Sequence, residues 1–203
     1  MGAWSIGARL GSPRCSPSLG PIAARVLVDP DERLDPVSRA MATSPLSRKA
    51  QGETLPVGVP VVGFVACGAV VRRTAFLQAA GFEPRFGVGG EEQVLALDLL
   101  RRGWQLAFVD EVVAHHHPSP IRDEAGSQRR EVRNALWTAW LRRPSRSALA
   151  VTWRTGVSSL RDPVLRAGLA DAILGLTWIL LARHPIPATI GRQVKIAEEA
   201  FYT

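Results

Sequence analysis

Short apolar runs set between turn residues fill the first part of this chain, and longer stretches with helical spacing fill the second. Ala24 to Val28 reads as a short strand that runs into Asp29-Pro30-Asp31-Glu32, a turn signal. Pro36 to Leu46 suits a short helix, and Ser47 to Pro60 reads as a loop. The run Val61 to Val71 is a buried strand by composition, broken or bulged at a glycine. Thr74 is a fitting N-cap for a helix from Ala75 to Ala80, which Gly81 closes.

From Glu91 the spacing becomes helical. Leu95 with Leu99, and Ala96 with Leu100, make one apolar face, while Asp98 and Arg102 share the opposite side as an acid-to-base pair. Gly103 ends this helix. Gln105 to Val109 and Val112 to Ala114 read as two short strands turned at Asp110-Glu111. Helices over Arg129 to Arg142 (stopped by Pro144), Ala148 to Leu160 and Val164 to Ala182 follow. Met1 to Gly20, rich in Gly, Ser, Pro and Arg with no period, reads as a disordered leader. The pattern predicts an α/β fold over residues 21–143 and a helical C-terminal extension over residues 144–203.

Composition narrows this picture. A chain of 203 residues with 46% hydrophobic content can bury a core, which excludes wholesale disorder. The net charge of +7 is carried by arginine, since Lys49 and Lys195 are the only lysines. Ten arginines lie between Arg122 and Arg166, against Asp123, Glu124, Glu131 and Asp162. Such a stretch is either a solvated helix face or an attractor of phosphates on a sugar nucleotide, a nucleic acid or an anionic lipid. Cys15 and Cys67 are too few for a disulfide framework and suit a reducing compartment. Ala172 to Ala182, the longest apolar stretch, is too short to span a bilayer and is expected to be a buried helix rather than an interfacial one. A cytoplasmic location is therefore expected, with peripheral membrane association as the alternative.

Two groups carry candidate chemistry. Glu91 and Glu92 stand behind Gly89-Gly90 at a helix start, where the positive end of the backbone dipole favours ionised acids. A group that takes a proton from a hydroxyl needs that state. His115, His116 and His117 end a strand, and strand alternation sends His115 and His117 to one face. Three such histidines alone do not make a zinc site, because the spacing is wrong and no cysteine ligand lies near. Trp137, Trp140, Trp153 and Trp178 are expected as helix core or groove walls.

These residues, from Ala24 to about Arg143, resemble the C-terminal half of a family 2 glycosyltransferase with the GT-A fold. Four stretches carry the likeness: Ala24 to Asp31, Cys67 to Phe86, Glu91-Glu92 through Gly103-Trp104, and Val112-Val113-Ala114-His115 with Arg133-Asn134 beyond it. The resemblance implies a partial GT-A mixed sheet and transfer of a sugar, with inversion, from a nucleotide-diphosphate donor to an acceptor hydroxyl. It implies Glu92 as the catalytic base with Glu91 before it, His115 as a ligand of a divalent cation (Mn²⁺ or Mg²⁺), and a nucleotide-sugar donor and hydroxyl acceptor as partners. Glu92 stands where many members carry Asp, and Val94 and Asp98 replace an acid and an arginine often found on the same helix. The nucleotide-binding half and its Asp-x-Asp are not seen in this sequence. Asp29-Pro30-Asp31 matches a later hairpin rather than that metal motif.

Two further classes stand beside a glycosyltransferase. One is a non-catalytic remnant or interaction protein that keeps the acceptor-side half. The other is a basic nucleic-acid-binding protein using Arg122 to Arg166, placed last because no recognised nucleic-acid motif supports it.

Overall fold

The computed structural model describes residues 6–7, 17–46, 58–118 and 123–201. It is a mixed α/β structure that divides into two compact units. The first is drawn from residues 1–81, 99–120 and 192–203, the second from 82–98 and 121–191.

The first unit is built on a six-stranded mixed sheet: β1 (Ile6–Gly7), β2 (Leu19–Val28), β3 (Arg33–Leu34), β4 (Val59–Val61), β5 (Ala69–Val71) and β6 (Gln105–His116). Strands β2 and β6 run parallel, with Leu27 opposite His115. β3 and β5 pair antiparallel with β2, and β1 and β4 do so with β6. A strand with neighbours on both sides is buried along most of its length, which is why β2 is longer than its apolar core suggests. It starts at Leu19, two residues inside the segment expected to be a leader; most of that segment lies outside the described residues, as does most of the loop expected over Ser47 to Pro60.

Two sequence expectations fail in this sheet for related reasons. The run from Val61 to Val71 is not one strand: β4 ends at Val61, a 3-10 turn covers Ala66–Gly68, and β5 follows. At Gly68 a Cβ would come within 2.4 Å of Val26 Cγ2, so the chain crosses β2 where no side chain fits. Conversely, Gln105 to His116 is one strand, not two. The expected turn at Asp110-Glu111 is a bulge: Ala24 is opposite Val109, and Arg25 opposite Val113. The two acids project there into solvent, and Arg25 pairs with Asp110 at 3.2 Å.

Helix α1 (Pro36–Ala42) starts where Asp35 accepts hydrogen bonds from the Val37 and Ser38 N–H groups, with Pro36 in the first turn. It bonds to β2 beside the β6 bulge: the buried Ser38 Oγ accepts from Val26 N–H at 3.0 Å and donates to the Ala24 carbonyl at 3.4 Å. Helix α2 (Arg73–Gln78) begins one residue before the expected cap Thr74, and no side chain caps it. Its end is a Schellman turn, with Ala80 N–H on Leu77 O and Gly81 N–H on Phe76 O.

Helix α3 (Glu91–Arg101) begins in the second unit. That unit also holds α4 (Glu124–Arg142), α5 (Ser145–Ser159), α6 (Pro163–Leu174) and α7 (Leu176–Leu181), and helix α8 (Ala188–Phe201), unforeseen in the sequence, follows. Its core is Phe86, Val94, Leu136, Trp137, Leu141, Ala172 and Ile179. Residue 143, expected as a boundary, lies between α4 and α5 inside this unit. The helix expected from Val164 to Ala182 breaks at Gly175, where a Cβ would meet the Trp137 ring at 2.6 Å. Its apolar stretch is not buried throughout: Ile179 is, but Leu174 and Leu181 are exposed. Among the described residues, no helix is long and apolar enough to cross a membrane.

Candidate functional site

The loop before α3 is built on glycine. Gly87, Gly89 and Gly90 have φ of +67°, +102° and +88°, a region where other residues are strained. Two neighbours on α4 hold this loop. Asn134, fully buried, donates through Nδ2 to the carbonyls of Phe86 at 3.1 Å and Gly89 at 2.5 Å. Arg133 donates to the Phe86 carbonyl at 2.8 Å and to Asn134 Oδ1 at 3.0 Å, with its guanidinium 4.4 Å from the Trp137 ring. A Cβ on Gly90 would touch Asn134 Cβ at 3.4 Å, so the loop lies close against α4.

This loop delivers Glu91 and Glu92 side by side at the first turn of α3. Glu91 turns back, and its Oε2 accepts from Gly89 N–H at 2.5 Å. Glu92 behaves differently from the expectation that a helix start favours ionised acids. Burial pushes its carboxyl up from the ordinary glutamate value. Hydrogen bonds from the Glu92 and Gly90 backbone N–H groups pull it partly back, and the charge of Glu91 adds to the rise. Desolvation outweighs the helix start. The outcome is a half-buried carboxylate with raised proton affinity, which is what a general base requires.

Asp98, on the same helix, is not on an exposed polar side. It is 7% exposed, and its two oxygens are bridged by Arg142, with Nε to Oδ1 at 2.6 Å and Nη2 to Oδ2 at 2.9 Å. That arginine also donates to the Leu141 and Ala182 carbonyls. A bidentate fork of this kind fixes structure.

His115 belongs to the first unit. The expected alternation is observed: His115 and His117 both face Asp29, with Nδ1 to Oδ2 distances of 3.7 and 3.1 Å. Backbone pairing supports the cluster, since Asp29 N–H donates to the His116 carbonyl at 3.0 Å. The resemblance makes His115 a metal ligand, and its neighbours in the structure are Asp29 and His117. Both Nδ1 atoms turn onto one carboxylate oxygen, and the neighbours add imidazole nitrogen rather than the oxygens that Mg²⁺ prefers. Among the described residues, no group of three or more His, Cys, Asp or Glu could hold a metal ion.

The structure thus places Glu91 with Glu92 in one unit, and His115 with Asp29 and His117 in the other. Sequence reading named Asn134 only as part of the family likeness and gave neither it nor Arg142 a role. Asn134 had a usable signal: a polar residue three and seven positions before the core residues Trp137 and Leu141, hence on the apolar stripe of α4. Arg142 had none, because its partner is 44 residues away. No protein-family model matches the chain, and no curated protein matches it.

Proposed function

We propose that this chain is a family 2-like glycosyltransferase of the GT-A type, acting on a nucleotide-diphosphate sugar and an acceptor hydroxyl, with Glu92 as the base. One observation carries the reading: Glu92 joins raised proton affinity to a fixed position behind a glycine loop that Arg133 and Asn134 hold. In the proposed step, Glu92 takes the acceptor O–H proton as that oxygen forms a bond to the anomeric carbon. The bond from that carbon to the diphosphate oxygen breaks with its electron pair, and configuration inverts. Glu91, bonded to Gly89, positions the loop and keeps the charged form of Glu92 costly. The proposal assigns no metal ligand among the described residues.

Calorimetric titration with UDP- and GDP-sugars in Mn²⁺, followed by transfer assays, tests this. Saturable donor binding is expected, and Glu92→Gln should keep it while lowering transfer by about 10²-fold or more, the usual share of a general base. Unchanged transfer would sink the base assignment. A second reading is a non-catalytic interaction protein that keeps the acceptor-side half. Absence of donor binding at millimolar concentration would select it.

A further inference from the structure

Helix α5 turns a row of large apolar side chains to solvent. Leu149, Trp153, Val157 and Leu160 follow one another at spacings of four, four and three, which places them on a single helical stripe. All four are exposed, with Trp153 at 75% and Leu160 at 76%. Together with Thr152 and Gly156 they line a shallow groove on the helix surface. Trp153 was expected in a core or groove wall, and an indole so open to water marks a surface that meets something else.

The charges around the stripe identify what that is. Arg146 lies at its N-terminal end, Arg154 follows Trp153 by one position, about 100° round the helix, and Arg161 follows Leu160 just past the helix end. All three are exposed, as is Arg166 on α6. Helix α5 itself carries no acid. Asp162 accepts from the Val164 and Leu165 N–H groups, and Asp171 is bridged by Arg129 at 2.6 Å. No carboxylate among the described residues forms a salt bridge with Arg146, Arg154 or Arg161.

We propose that this face of α5 docks on an anionic lipid bilayer, Leu149, Trp153, Val157 and Leu160 entering the headgroup–acyl boundary while Arg146, Arg154 and Arg161 meet lipid phosphates. An apolar stripe beside arginines, with tryptophan at its centre, is the composition of an interfacial helix. The stripe is about 16 Å long, too short to span and long enough to lie in the interface. A second copy is a poorer occupant. A two-fold contact would bring the same arginines together, and the α5 face itself holds no acid to answer them. This assignment does not rest on the transfer reading.

Flotation of the full chain with phosphatidylcholine vesicles, with and without phosphatidylglycerol, tests it. Binding is expected only with the anionic lipid and should weaken in high salt. The exposed substitutions Trp153→Ala with Leu160→Ser should release the chain, and Arg154→Glu with Arg161→Glu should weaken binding by about thirtyfold or more. No binding to anionic vesicles would overturn the proposal. So would binding that ignores the apolar pair, since that is phosphate attraction alone. A dimer by light scattering that Trp153→Ala dissociates would give the face to a second copy and overturn it equally.

Discussion

The two ends of helix α3 handle the same problem in opposite ways. Both Glu92 and Asp98 are carboxylates removed from water, about 9 Å apart along the axis. Asp98 is held in a bidentate fork by Arg142, which satisfies both oxygens and ties α3 to α4. Glu92 has the backbone N–H groups of its own turn, and beside it the like charge of Glu91. A carboxylate locked to a guanidinium offers no oxygen to anything else. One kept short of compensation does. The contrast separates an acid that maintains the fold from an acid suited to chemistry, although both belong to one eleven-residue helix.

The largest effect is expected where the fork is broken. Arg142→Met should destabilise the chain by about 3–5 kcal/mol, the usual result of removing one partner of a buried pair. Urea unfolding at neutral pH measures it. Adding Asp98→Leu to that variant should restore much of the loss, because the stranded charge goes with it. A loss below about 1 kcal/mol would mean that Asp98 is as free as Glu92, and the distinction between the two would collapse.

How much of this contrast the sequence carries depends on the range of the interactions. Gly89-Gly90-Glu91-Glu92 is legible because glycine and first-turn acids are local marks of a helix start. The shared face of His115 and His117 is legible from strand alternation, though their partner Asp29, 86 residues before His115, is not. Burial of Asp98 is hidden for the same reason: its partner is on another helix, and a charged residue in a four-residue pattern looks solvated. Asp110-Glu111 misleads outright. Two acids between apolar runs suggest a turn, yet a bulge lets them face water without ending β6. The rise in Glu92's proton affinity is a balance between a local effect that favours charge and a burial that only packing decides.

Replacing the other carboxylate should have a smaller effect of opposite sign. Glu92 holds its proton to higher pH in the folded chain than in the unfolded one, where the ordinary value is 4.5. Between those two values the native state binds more protons, so this group makes stability fall as pH rises. Below 4.5 both states become protonated and the pH dependence from this group vanishes. Glu92→Gln should therefore be increasingly more stable than the parent as pH climbs through that window, then level off. Unfolding midpoints in urea across the acid-to-neutral range read this directly. A variant that loses stability as pH rises would place Glu92 in a stabilising pair like that of Asp98.

The finest test separates the causes acting on Glu92. Burial is the largest, and the neighbouring Glu91 charge adds to it. Glu91→Gln removes that charge and keeps an oxygen able to accept from Gly89 N–H, so the loop should hold and stability should change by only about 0.3–1 kcal/mol, the worth of one first-turn acid. In a ¹³C carboxyl titration by NMR, Glu92 should move partway down and still titrate above an ordinary glutamate. Burial then accounts for the remainder, and the site keeps a proton acceptor with one acid alone. If Glu92 instead returns fully to the ordinary value, the pair of acids is the device. Glu91 would then be as necessary to the base as Glu92, and Glu91→Gln should depress transfer through the proton affinity of Glu92.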